Sequence, residues 1–288
     1  MNSLLHWLAR WPLWLLHTLG ALLGWLTYAA SPSYRKRLVA NAELAGVGLA
    51  ARRASVAQAG RMVAELPWLW LAPPGRRIEQ WIEWVGAQTL DEALDEGRGL
   101  ILLTPHLGSF EVCAQAYAQR CGERAPMTAL YRPARQAWLR EVEENSRHRP
   151  GLLTAPATLS GVRQMIRALR RGDTVGLLPD QVPPEGLGVW APFFGHPAYT
   201  MTLASRLQEQ TGAPVRLMWA QRQAGGRGWV VHALRPQDVL PDQAPYSPTT
   251  VNRYMEALIR RAPEQYLWGY HRYKQPRAQH PQEQGTVA

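Results

Sequence analysis

The chain opens on an almost unbroken apolar run, "LLHWLARWPLWLLHTLGALLGWLTYA" over 4–29, in which Arg10 is the one full charge and His6 and His17 are the two histidines. As one helix of roughly 26 residues it would measure about 39 Å, enough to cross a bilayer core with tilt. Pro12 predicts a kink or a helix start. Residues 37–72 then read as helix, rich in alanine and leucine, until "PPG" at 73–75 breaks them. Residues 78–85 predict a short strand or an amphipathic turn, and 90–97 a helix with a glycine stop. "GLILLTP" is a short continuous apolar run between turn signals, the mark of a strand buried on both faces. Beyond it helices are predicted at 110–120, 136–147, 159–171, 201–210 and 251–261. Strands are predicted at 126–131, 174–178, "VWAPFF", 215–221 and 229–234. This alternation argues for an α/β fold with an open, mostly parallel sheet flanked by helices. The domain reading is an apolar membrane-anchor helix at 1–30, one catalytic-size domain at 31–275, and a loose polar tail at 276–288.

Composition sharpens the first segment. There are 13 tryptophans against 3 phenylalanines, and Trp7, Trp11, Trp14 and Trp25 lie towards the two ends of the apolar run. Indole rings favour the membrane–water boundary. The formal charge is +10, which draws anionic lipid, nucleic acid or an acidic protein. Zinc-finger spacing and a repeated aromatic–basic pattern are absent, so nucleic acid is not the expected partner. "YRKR" at 34–37 follows the apolar run and keeps the rest of the chain on the cytoplasmic side; anionic head groups are its expected contact. A cleaved signal peptide is disfavoured by the length of the run, leaving a transmembrane helix and a helix lying in the interface as open alternatives. Cys113 and Cys121 have no zinc-ligand spacing and read as plain thiols of a reducing compartment.

The candidate chemistry sits in "ILLTPHLGSFE" at 101–111. In open α/β sheets active sites lie beyond the carboxyl ends of strands. His106 stands just past one, and Ser109 at the N-cap of the next helix would put Glu111 in its first turn. A carboxylate that orients an imidazole makes a general base, and histidine titrates near neutrality. The plain alternative is a capping glutamate beside a hydrogen-bonded histidine. A serine-nucleophile elbow, a dinucleotide fingerprint and a phosphate loop are all missing. A base without its own nucleophile suits direct transfer, in which an acceptor hydroxyl attacks.

"TPHLGSFE" resembles the H-x-x-x-x-D/E block of the lysophospholipid acyltransferase superfamily. Its glutamate is similar to the branch of late lipid A acyltransferases, the lauroyl and myristoyl transferases. "ALYRPARQ", "RALRRGDTVGLLPDQ", "APFFG" and "PEQYLWGYHRYK" resemble later blocks of that branch in the same order. The resemblance implies transfer of a fatty acyl group from acyl carrier protein, or acyl-CoA, to a hydroxyl of a phosphorylated glycolipid at the bacterial inner membrane, with the domain on the cytoplasmic face. It implies His106 as base with Glu111 as partner, Arg132 on a phosphate, and Asp180 and Gln181 shaping the acceptor site. Amides near Gly108 and Ser109 are expected to meet the thioester oxygen. No metal or cofactor is expected. Arg163, Arg167, Arg170 and Arg171 form either a solvated helix face or a dock for the acidic carrier. Two departures stand out: Val182 follows "DQ" where the family often has an acid, with Glu185 as a substitute, and "VANAELAG" fits the family's Asn-Leu segment loosely. Alternatives are an acyltransferase for a lysophospholipid or other glycolipid or aminolipid, and a lipid-binding homologue without turnover.

Overall fold

The computed structural model describes residues 2–71, 76–131, 150–241 and 245–277. The predicted helix at 136–147 and the Pro-Pro-Gly break lie outside them.

The first apolar run forms two helices rather than one: α1 (Asn2–Leu8) and α2 (Leu13–Ala30), with Pro12 as the N-cap of α2. Proline there loses no intrahelical donor and presets the first turn. The long second helix is also two, α3 (Pro32–Leu44) and α4 (Leu49–Trp70). The break falls at Gly46, whose φ of 70° is left-handed and ends α3 at no steric cost.

Residues 78–85 contain both predicted forms, a 3₁₀ turn at Ile78–Trp81 and the strand β1 (Ile82–Val85). There follow α5 (Gln88–Asp95), β2 (Leu100–Leu103), α6 (Phe110–Cys121), β3 (Met127–Tyr131), β4 (Leu152–Pro156), α7 (Leu159–Arg170) and β5 (Thr174–Leu177). A hairpin of β6 (Gly188–Phe193) and β7 (His196–Met201) precedes α8 (Leu203–Thr211), β8 (Val215–Arg222), β9 (Trp229–Leu234) and α9 (Pro248–Arg261).

Seven strands form one sheet in the order β1-β9-β8-β2-β5-β3-β4. The pairs β8–β2, β2–β5, β5–β3 and β3–β4 are parallel, β8–β9 antiparallel and β9–β1 parallel. The mostly parallel α/β sheet expected from the alternation is present. Its centre is buried on both sides: Ile101 and Leu103 face a core with α3, α7, α8 and α9, and Leu100 and Leu102 face one with α2, α4, α5 and α6. That two-sided burial is why β2 reads as an unbroken apolar run.

Helix α2 is not a free arm. It lies antiparallel along α4 through a seam of small residues. A Cβ on Gly60 would stand 1.9 Å from the Gly20 carbonyl oxygen, and one on Gly24 2.3 Å from the Val56 carbonyl oxygen. Backbones this close exclude any side chain, so the glycines set the helix spacing.

Candidate active site

Strands β2 and β5 are neighbours, and Leu103 pairs with Leu177. Three residues beyond that pair stand His106 on one strand's exit and Asp180 on the other's. The parallel register therefore delivers the two side chains to the same place. Asp180 Oδ1 lies 2.7 Å from His106 Nδ1, and its Oδ2 accepts from the His106 backbone N–H at 2.9 Å. Tyr266 donates its hydroxyl to the same Oδ2 at 3.1 Å. With Nδ1–H given to the carboxylate, Nε2 carries the lone pair, and the Gln181 amide nitrogen stands 3.0 Å from it.

Burial separates the roles. The Asp180 side chain is 1% exposed and that of His106 16%, so the ring is the part that a substrate can reach. Burial pushes the Asp180 carboxyl up. The His106 imidazole, its ring and amide hydrogen bonds and the nearby Arg272 guanidinium outweigh that and hold it below its ordinary value. Burial, with the Asp180 charge second, pushes the Tyr266 phenol well up, so it stays a donor.

Glu111 is in the first turn of α6 as expected, and its Oε2 accepts from the Trp70 indole N–H at 3.2 Å. Ser109 occupies the N-cap position, but its hydroxyl donates to Glu65 instead of to the helix. Gly108 has φ of 61°, and a Cβ there would stand 2.0 Å from the Ala220 carbonyl oxygen; only glycine fits. The Gly108 amide donates to the Gln265 carbonyl and the Ser109 amide to the Ala220 carbonyl, both at 2.9 Å. These two N–H groups are occupied, so the expected reach of amides at 108–109 towards a thioester oxygen is not available in this arrangement.

Behind the loop lies a second, sealed assembly that the sequence reading missed. Glu65 of α4 binds Arg222 at the end of β8 through two nitrogens, at 2.9 and 2.7 Å, and His17 of α2 at 3.0 Å. Arg222 also donates to Gln58 at 2.9 Å and to the Gly108 carbonyl at 3.1 Å. Gln265 braces the Arg222 backbone on both its N–H and its carbonyl. Burial raises the Glu65 carboxyl, but Arg222 and His17 override it and hold it at about 2. The assembly thus ties α2, α4, β8 and the last block to the backbone of the His106 loop.

The remaining expectations sort as follows. Arg132 lies outside the described residues. Arg163, Arg167, Arg170 and Arg171 are all exposed, and Arg171 pairs with Asp173 at 2.7 Å. Glu185, the suggested stand-in for the missing acid after "DQ", is exposed, while the Val182 amide donates to the Tyr270 hydroxyl. Asn41 of "VANAELAG" is buried and donates to the Trp268 and Tyr270 carbonyls. His232 stacks on Trp219 with centroids 4.5 Å apart, and His271 is exposed. Both cysteines are free and buried. Burial, the largest cause, pushes the Cys113 thiol up to about 12 and the Cys121 thiol up to about 11. Arg272, which "GYHRYK" does not distinguish from a surface charge, is buried against Tyr199, Thr200 and Asn252.

Comparison with known proteins agrees with this architecture. The chain is 28% identical over 242 residues to the lipid A biosynthesis lauroyltransferase of Escherichia coli K12, covering 83% of this chain and 72% of that protein. It is 27% identical over 210 residues to the palmitoleoyltransferase of the same strain, covering 73% and 66%. It is 25% identical over 193 residues to a lipid A biosynthesis acyltransferase of Haemophilus influenzae, covering 67% and 59%. The profile described as "Bacterial lipid A biosynthesis acyltransferase" matches residues 2–275. The chain belongs to that family and is an acyltransferase.

Proposed function

We propose that this protein moves a fatty acyl chain from a thioester, carried by acyl carrier protein or coenzyme A, to a hydroxyl of a lipid A precursor at the cytoplasmic face of the inner membrane. The observation that carries the reading is the His106–Asp180 pair at the exits of two adjacent parallel strands, with the ring partly open and the carboxylate sealed. Family membership supplies the substrate class.

Asp180 fixes the tautomer and stabilises the imidazolium as it forms. His106 Nε2 takes the proton of the acceptor hydroxyl, displacing the Gln181 amide that now meets it. The freed oxygen attacks the thioester carbonyl carbon, giving a tetrahedral oxyanion. Its collapse breaks the carbon–sulfur bond, and the departing thiolate takes the proton from His106. No acyl-enzyme forms. Glu111, which accepts from the Trp70 indole, acts as the second carboxylate of the site. Arg132 engages a phosphate of donor or acceptor, Gln181 borders the acceptor, and Arg163 with its neighbours on α7 offers a cationic face to the acidic carrier protein.

The test follows product mass from lauroyl or myristoyl carrier protein and a tetra-acylated lipid A precursor. Wild type is expected to add one acyl chain, and His106→Ala to lose transfer by about 10²- to 10⁴-fold, the usual worth of a positioned base. Full activity in His106→Ala would sink the mechanism. Transfer to a lysophospholipid but not to the lipid A precursor would sink the acceptor and leave the chemistry standing.

A further inference from the structure

Helix α2 is built inside out for a water-soluble surface. Its small residues Gly20 and Gly24 face α4, while Trp14, Leu19, Leu22, Leu23, Trp25 and Leu26 point outward, Leu22 at 62% and Leu26 at 64% exposed. A surface helix in water shows the opposite arrangement, and exposed apolar faces of this extent mark interaction sites. Among the described residues α2 is long and apolar enough to cross a membrane by length and composition. Its packing argues against that. Gly60 of α4 meets Gly20 and Gly24 at the middle of α2, so a spanning α2 would carry the half-buried Arg61 beside it to the depth of the hydrocarbon. Charges there are costly.

At the far end of α2 is an open cleft of about 310 Å³ lined by Trp25, Tyr28, Leu49, Val56, Arg52 and Arg53. Four walls are apolar or aromatic and two are guanidinium. Arg52 reaches Glu43 of α3, Arg53 is exposed, and the Trp25 and Tyr28 rings meet edge to face at 5.6 Å. Arg35 and the exposed Lys36 flank the same end. Guanidinium groups grip phosphate through paired N–H donors, and amphipathic aromatic rings sit at head-group level.

We infer that α2 lies in the plane of one leaflet of an anionic bilayer, and that the Arg52–Arg53 cleft holds the phosphate of a bilayer phospholipid with its chains against α2. An anionic leaflet suits this cationic rim; a second copy of the chain would set like charges against each other. The site is separate from the His106 centre, and its test needs no acyl transfer.

Full-length protein would be floated with vesicles of phosphatidylcholine alone and of phosphatidylcholine mixed with phosphatidylglycerol. Spin labels at Thr18→Cys, Leu22→Cys and Ala29→Cys, with Cys113→Ala and Cys121→Ala, would report depth. In-plane seating gives equal depths; a steady gradient along the three labels would overturn it. Phosphatidylglycerol is expected to strengthen binding, and Arg52→Gln/Arg53→Gln to weaken it about twenty-fivefold, at about fivefold per basic residue. Arg53→Gln alone covers the case in which the double variant misfolds. Arg163→Gln/Arg167→Gln removes the same charge elsewhere. An equal loss there would mean net charge and not a site. Displacement by inorganic phosphate would mean a soluble-anion site, and labels shielded in a lipid-free dimer would mean a second copy; either outcome overturns the inference.

Discussion

Among the described residues two carboxylates are buried, on either side of one loop, and they are employed in opposite ways. Asp180 is sealed, but its partner His106 keeps a solvent-facing edge. Glu65 is sealed and so is Arg222, at 1% and 2% exposure. The first pair can exchange a proton with a visitor; the second can only hold its geometry. An arginine never gives up its proton under ordinary conditions, so Glu65–Arg222 is fixed where His106–Asp180 is switchable. The contrast shows that a site is recognised by which member of a buried pair remains reachable, more than by the presence of the pair.

The largest effect should come from removing the nitrogen partner of each carboxylate. His106→Ala is expected to cost turnover by about 10²- to 10⁴-fold, with a smaller stability loss than at Glu65, because Asp180 keeps the His106 backbone N–H and the Tyr266 hydroxyl. Arg222→Met should do the reverse in kind: about 3–5 kcal/mol of stability is lost because the Glu65 charge is left buried and unpaired. Thermal unfolding beside product-mass assays would read both. If Arg222→Met melts like wild type, the sealed assembly is not holding the loop. The double variant Glu65→Leu/Arg222→Met should recover much of the loss, because the desolvation cost disappears with the charges.

Acid sharpens the comparison next. Glu65 is depressed from 4.5 to about 2, so the stability it contributes is whole above its ordinary value and is lost as pH falls through about 2. The size is on the order of 3 kcal/mol. Urea midpoints measured across that window should fall in wild type and stay flatter in Glu65→Gln. Asp180 is shifted in the same direction, so Asp180→Asn should remove part of the acid loss as well. An identical acid profile in Glu65→Gln and wild type would contradict the assignment. The smallest expected effect is at Gln181. Removing its hydrogen bond to Nε2 in Gln181→Ala is worth about 0.5–1.5 kcal/mol, which kcat/KM should show as a change of about tenfold or less.

Much of the sheet was legible because β2, β5 and β8 are buried on both faces and read as apolar runs. His106 was legible from the strand before it. The role of Asp180 was not: "PDQ" shows an acid after a strand, but only the order of strands reveals that β5 lies beside β2. Glu65 and Arg222 are 157 positions apart, each inside a segment that reads as ordinary helix or strand, and local pattern carries no trace of their meeting. Strand β7 went unread but for its last residue, Met201, which was taken as the start of the following helix, because its turn is disguised. Phe194 sits there with φ of 47° beside Gly195, in a left-handed region that phenylalanine seldom adopts, so the first of the two usual turn residues is missing. β4 went unread as well, a short segment that opens right after Pro150 and Gly151.

The matched register of β2 and β5 carries a consequence for how this chain can change length. His106 and Asp180 stand equally far past Leu103 and Leu177, and each crossing from strand to side chain is a spacer of fixed size. A residue inserted into 104–105 or 178–179 would advance one group by about 3.3 Å and flip the side-chain direction, leaving ring and carboxylate out of reach. Insertions at the distant helix ends have no such penalty. Those two dipeptides are therefore rulers, and the molecule can drift in composition there far more readily than in length.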